Sequence, residues 1–271
     1  MDYSESNYQT SGAYSLEIKT VQSSAFRVLI EALKEILTDA NFEIDSSGLK
    51  LIAMDASHTV LVYLKLDASN FEYYYCQDKQ VLGINMLNFY KLIKTMSNTD
   101  NLTLFVEKND PNHLGIKIEN GEKNTITTFK LNLMDLSEET IQIPPATFTS
   151  VITMPSVDYQ KICRDMHNYA DYIEIKSVGS QLIFTCKGDF VTQETIVSEG
   201  NGNGMSFVKK QEEAEIVQGV FALKHMVLFT KCTNLCNSIE IYLKNDYPLI
   251  ICYSVANLGQ IKLCLAPQCS P

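Results

Sequence analysis

Four pairs of cations stand at spacings that place both members on one side of a helix. Lys161 and Arg164 lie three apart in "KICRDM" (161–166), and Lys91 and Lys94 lie three apart in "NMLNFYKLIKTMS" (85–97). Arg27 and Lys34 lie seven apart, as do Lys224 and Lys231. Such positions share a helical face, and the chemistry open to a basic face is attraction to a polyanion. A helix that reads bases offers Arg, Asn and Gln along its first turns. Here the cations are sparse and mostly lysine, point charges without the arginine fork, which suits weak, sequence-independent contact with phosphates. The chain around them carries 22 Lys and Arg against 32 Asp and Glu, a net charge of −10. That surplus excludes a protein whose whole surface coats nucleic acid but leaves room for one basic surface. Helices often show solvent mixed charge, and the i,i+4 pairs Arg27–Glu31 and Lys161–Asp165 fit that plainer explanation. The second and fourth helical segments fit it less well, because they contain no Asp or Glu.

Other reactive side chains form no comparable constellation. "MDASH" brings Asp55, Ser57 and His58 together, but a hydrolytic triad is assembled from distant segments, and no G-x-S-x-G elbow occurs. Histidines 58, 113, 167 and 225 form no i,i+4 metal pair, and the carboxylates show no metal-binding spacing. The eight cysteines (76, 163, 186, 232, 236, 252, 264 and 269) include no CxxC pair and sit mostly in apolar runs. They are expected to be reduced core residues of an intracellular protein. The chain is therefore read as a non-enzyme with no cofactor and no metal. There is no secretory signal and no apolar run near 18 residues, so no membrane partner is expected. "EGNGNGMSFVKKQEE" (199–213) lacks the Gly-Lys-Ser/Thr ending of a phosphate loop and is expected to be a mobile surface loop.

The elements that must position the cations recur twice. "FKLNLMD" (129–135) resembles "IKLCLAP" (261–267), and the same order of elements precedes each. A helical pattern (24–39, then 156–169) is followed by strand–turn–strand (42–55, then 172–189). A second helical pattern (85–97, then 222–233) is followed by short alternating strands. Each half thus reads as many short strands with two helices, an α+β architecture present twice. Residues 1–14 are expected to be a disordered tail. The halves are expected over 15–133 and 149–271, joined by a connector, 134–148, with two consecutive prolines.

Several blocks in order carry a resemblance: "VLIEALKEIL" (28–37), "SSGLKLIAMDASHTVLV" (46–62), "LNLMDL" (131–136), "MPSVDYQKICRDM" (154–166), "FALKHMVLFTK" (221–231) and "YPLIICYSVANLGQIKLCLAP" (247–267). Together they resemble the proliferating cell nuclear antigen family, the eukaryotic-type DNA sliding clamp, from about Leu16 to Pro267. The resemblance implies two duplicated clamp-type domains and a closed ring of three identical subunits, with helices lining a channel and sheets outside. Arg27, Lys34, Lys91, Lys94, Lys161, Arg164, Lys224 and Lys231 would then face duplex DNA. The ring would tether a DNA polymerase and other proteins of replication and repair that carry clamp-binding motifs, and an ATP-dependent clamp loader would place it on DNA. The setting would be the nucleus, or a viral replication site. "NTITTFKL" (124–131) and "VTQETIV" (191–197) are the expected ring-closing edges.

The resemblance also places a partner-peptide pocket at Met54, His58, Leu61, Leu136, Ile141, Ile143, Pro144, Pro248, Leu265, Ala266 and Pro267. Cys264 stands where the family usually has tyrosine, and Thr59 where an aliphatic residue is common. Three alternatives accompany this reading: a subunit of a heteromeric, checkpoint-type clamp, a monomeric processivity factor, and a peptide-binding scaffold without DNA function.

Overall fold

A computed structural model describes residues 12–137, 141, 146–200, 202, 204–212 and 215–268. The first half runs β1 (Tyr14–Thr20), α1 (Ser23–Ile36), β2 (Asp39–Asp45), β3 (Gly48–Met54), β4 (Val60–Asp67), β5 (Tyr73–Cys76) and β6 (Gln80–Asn85). It continues through α2 (Met86–Ile93), β7 (Asp100–Glu107), β8 (Asp110–Asn120) and β9 (Thr125–Asn132). The second half repeats that order with β10 (Ser150–Pro155), α3 (Ser156–His167), β11 (Tyr172–Val178), β12 (Gln181–Lys187), β13 (Thr192–Ser198), β14 (Ser206–Lys209) and β15 (Val217–Ala222). It closes with α4 (Leu223–Phe229), β16 (Ser238–Leu243), β17 (Leu249–Val255) and β18 (Gly259–Leu265).

The halves also repeat their sheet order. The first contributes β5-β1-β7-β8-β9 and β4-β3-β2-β6; the second contributes β14-β10-β16-β17-β18 and β13-β12-β11-β15. One junction breaks the separation. β18 pairs antiparallel with β4, from Gly259–Leu66 to Leu265–Val60, and fuses two of these sheets into one of nine strands spanning both halves. The counterparts of that junction, β9 and β13, remain open at the ends of their own sheets.

The helices cover one side of the sheets. Phe26, Leu29, Ile30 and Leu33 of α1 and Phe89 and Ile93 of α2 are buried, as their periodicity predicts. Rings of Phe26 and Phe89 meet edge to face at 6.1 Å and dock the two helices. α1 also packs on α4 and on the 3-10 turn Thr230–Leu235, and α3 packs on both of these, so the four helices form one contiguous layer.

Several boundaries differ from the sequence reading. Tyr14, assigned to the tail, already pairs with Glu107 in β1, whereas residues 1–11 lie outside the described residues. α1 ends at Ile36 because Leu37 is extended and leads into β2. The fourth helical pattern breaks after Phe229. Thr230 Oγ1 donates to the Val227 carbonyl and Thr233 Oγ1 to that of Thr230, each at 2.7 Å, and the chain tightens into a 3-10 turn. Part of the segment expected to be a loop is a strand: β14 pairs with β10, while Met205 and Gln211 are buried beside it. The connector starts on β6, where the Met134 N–H donates to the Gly83 carbonyl at 2.8 Å. A Cβ on Gly83 would lie 2.2 Å from the Met134 carbonyl oxygen, so only glycine admits that approach.

Candidate functional site

The helical layer holds all eight cations of the four pairs, and their surroundings divide them. Lys91, Lys94, Lys161, Arg164, Lys224 and Lys231 are solvent-exposed, on positions opposite the buried faces of their helices. Among the described residues none of the six makes an ion pair. Lys161–Asp165 and Arg27–Glu31, spaced for i,i+4 pairing, do not pair either, so the mixed-charge explanation finds no support in either couple. Arg27 and Lys34 are half-buried toward α2. Lys34 Nζ lies 4.8 Å from the centre of the Tyr90 ring and pairs with Glu35. The Arg27 Nε is buried without a hydrogen-bond partner. The four helices, with their caps and the 3-10 turn after α4, carry eight Lys and Arg against four carboxylates. That is a positive surplus in a chain of net charge −10.

On the opposite side of the nine-stranded sheet, strand register assembles a second feature. Tyr242 stands opposite Ile250, Ile250 opposite Cys264, Cys264 opposite Leu61, and Leu61 opposite Met54. Because side chains alternate across a strand, these five form a half-buried apolar row across β16, β17, β18, β4 and β3. At its Met54 end a cavity of about 490 Å³ is lined by Met54, Ile52, Val81, Leu136 and Ile141 over a charged floor that includes Asp39 and Glu43. A separate cavity of about 600 Å³, between β11, β15, the turn after β16 and the segment after β18, is lined by Val220, Tyr247 and Pro267 together with Glu174 and Asp246. Pro248 and Ala266 are half-buried near the row, and the Ala266 N–H donates to the Thr59 carbonyl at 3.1 Å.

Met54, Leu61, Leu136 and Ile141 are therefore brought together. Leu265 is not: it is fully buried on the core face with Ile261 and Leu263, and it cannot line a groove on the other face. Cys264 takes that place, and burial pushes its thiol up to about 11, so it contributes as a neutral, apolar group. Ile250 and Tyr242 were also missed. Their signal was available in the alternation of "LIICYSV" and "IEIYLK", but only the register joins them to Leu61. Ile143 and Pro144 lie outside the described residues.

His58 is exposed at the tip of the turn after β3, with a left-handed φ of 52°. Asp55 builds that turn. Its Oδ1 accepts from the N–H groups of Thr59 at 2.8 Å and Val60 at 2.7 Å, and the Ser57 hydroxyl donates to its other oxygen. Burial pushes the Asp55 carboxyl up, but the hydrogen bonds outweigh it and hold the group below its ordinary range. Ser57 thus spends its proton on Asp55 rather than on His58, which is turn chemistry and not the relay of a hydrolase.

Models of the proliferating cell nuclear antigen N-terminal and C-terminal domains match residues 15–140 and 142–268. A protein of Paramecium bursaria Chlorella virus 1 described as "Probable DNA polymerase sliding clamp 1" is 35% identical over 254 residues, covering 92% of this chain and 95% of that protein. Two matched domains that span nearly every described residue, on a fold whose halves repeat strand for strand, establish that the chain belongs to the proliferating cell nuclear antigen family.

Proposed function

We infer that this protein is a DNA sliding clamp, a polymerase processivity factor that encircles duplex DNA as a homotrimeric ring. One observation carries the ring. Within the chain, the last strand of one half (β18) pairs with the fourth strand of the other (β4), while their counterparts β9 and β13 stay open. Each open strand exposes an isoleucine, Ile126 at 65% and Ile196 at 51% accessibility. Repeating the internal junction between copies joins β9 of one to β13 of the next, a head-to-tail contact that closes into a ring. The helical layer then faces the channel, and its unpaired cations meet phosphates without holding any one sequence. Such contacts are weak and exchangeable, so the ring slides. The mechanism is topological, and no covalent step belongs to it.

The apolar row, with the cavity at its Met54 end, receives short motifs of polymerases and other replication and repair proteins. An apolar strip edged by a connector suits a peptide bearing aromatic anchors. The eight cations remain the DNA-facing set, with Arg27 and Lys34 the least accessible of them. A clamp loader opens the ring, and the protein acts at sites of replication, in the nucleus or in a viral replication compartment. Sedimentation at micromolar concentration tests the ring: the expected mass is near three times 30.5 kDa. A mass of 30.5 kDa would favour a monomeric factor or a subunit awaiting different partners.

A further inference from the structure

Two lysines share the sheet face that bears the apolar row, Lys50 on β3 and Lys262 on β18. Both are half-buried, and neither makes an ion pair among the described residues. The carboxylates near them are engaged elsewhere. Glu43 stands opposite Lys50 but pairs with Lys79 at 2.9 Å. Asp39, in the same cavity as Lys50, accepts from the Asn85 amide at 2.8 Å. On its other side Lys50 stands opposite Lys65, whose own partner is Asp67 at 2.9 Å. Like charges set directly opposite each other destabilise a sheet. Glu240 accepts the Tyr242 hydroxyl at 2.5 Å, and Lys262 Nζ lies 5.7 Å from the centre of the Tyr242 ring. A cation over an aromatic face keeps its charge.

These two cations bracket the row. Tyr242 is its member on β16, so the Lys262 ammonium stands at that end. Lys50 lines the cavity at the Met54 end. Five strands set side by side place the ends about 19 Å apart, a length that about six extended residues cover. We propose that the row selects a partner segment of acidic and apolar character: an apolar, aromatic-bearing core of about six residues with a carboxylate at each end, one meeting Lys262 and the other Lys50. The five side chains between the lysines are uncharged, so the row answers to an apolar peptide core and not to a nucleic-acid strand, whose phosphates need cations along their whole track. This inference rests on the peptide-docking reading above and names the class of peptide.

Fluorescence anisotropy with two fluorescein-labelled peptides tests it. Both have blocked ends and the same core of leucine and two phenylalanines; one carries Asp and the other Asn at each end of that core. Wild type should bind the Asp peptide about threefold to tenfold more tightly, as one or two exposed ion pairs allow, and added salt should shrink the preference. The preference should vanish in Lys50→Gln/Lys262→Gln and persist in Lys50→Arg/Lys262→Arg, which keeps both charges. Equal binding of the two peptides to wild type overturns the inference alone. So does a preference that survives in the Gln variant, or an equal loss of both peptides there, which marks a merely structural role. Loss of binding to a single-stranded oligothymidylate in the Gln variant, with the peptides unaffected, assigns the lysines to nucleic acid and overturns it too. Wild type that binds neither peptide overturns the peptide-docking reading and this inference with it.

Discussion

Lysines on the strands and lysines on the helices of this protein live in opposite electrostatic surroundings. On the strands, Lys19 pairs with Glu17, Lys65 with Asp67, Lys117 with Glu119 and Lys176 with Glu174, at 2.8–3.0 Å. Each is an i,i+2 pair, the spacing at which strand residues stand side by side on one face. On the helices, the i,i+4 carboxylates either are absent, as in α2 and α4, or make no ion pair, as with Glu31 and Asp165. Exposed ion pairs stabilise little, so the difference teaches more about charge than about stability. Several strand lysines are neutralised by their neighbours, whereas among the described residues every cation of the four helical pairs except Arg27, whose Nε is buried, and Lys34, which pairs with Glu35, is exposed and makes no ion pair.

The strongest way to break this contrast is to open the ring that would give the helices a channel. Ile126→Asp in β9 or Ile196→Asp in β13 puts a charge on an open edge. Each should reduce the sedimenting mass from near three times 30.5 kDa to 30.5 kDa, with far-ultraviolet circular dichroism unchanged. Next comes the charge itself. Alanine at Lys91, Lys94, Lys161 and Arg164 together should remove most of the salt dependence of duplex binding, at about 0.9 in slope for every phosphate released. Alanine at Lys65, Lys117 and Lys176 should leave the slope unaltered. Equal reductions in the two sets would end the distinction between strand and helix cations.

The outer face sharpens the comparison in a different currency. Leu61→Ala should weaken a clamp-binding peptide by roughly tenfold or more in a fluorescence-anisotropy titration and leave DNA retention intact. Leu265→Ala should instead destabilise the fold by about 2–5 kcal/mol in chemical denaturation, because that side chain fills the core. The smallest effect is at the turn. Asp55→Ala removes three hydrogen bonds to a carboxylate held below its ordinary range, so it should cost about 1–2 kcal/mol near neutral pH. A depressed carboxyl contributes its stability above its unfolded pKa and loses it as pH falls through the folded value. The gap between wild type and Asp55→Ala should therefore close below about pH 4.

The helices and their cations were legible because period and charge are local signals: the spacing in "KICRDM" survives intact in α3. The apolar row was half legible. Lys262, Cys264 and Ala266 alternate with Ile261, Leu263 and Leu265, and that alternation already puts Leu265 on the core face; family likeness drew it into the groove. The junction of β18 with β4 was not legible, since nothing local tells a strand which partner it meets nearly two hundred residues away. The break after Phe229 could have been anticipated from the two threonines that bond back to carbonyls.

The most direct test of the account is retention on closed circular duplex DNA after the protein has been loaded, followed by a single linearising cut. A ring whose unpaired helix cations only brush phosphates should stay on the circle at salt that abolishes binding to linear duplex, and should leave at once when the circle is cut. Equal retention before and after the cut, or release from the intact circle at the same salt as from linear DNA, would contradict it.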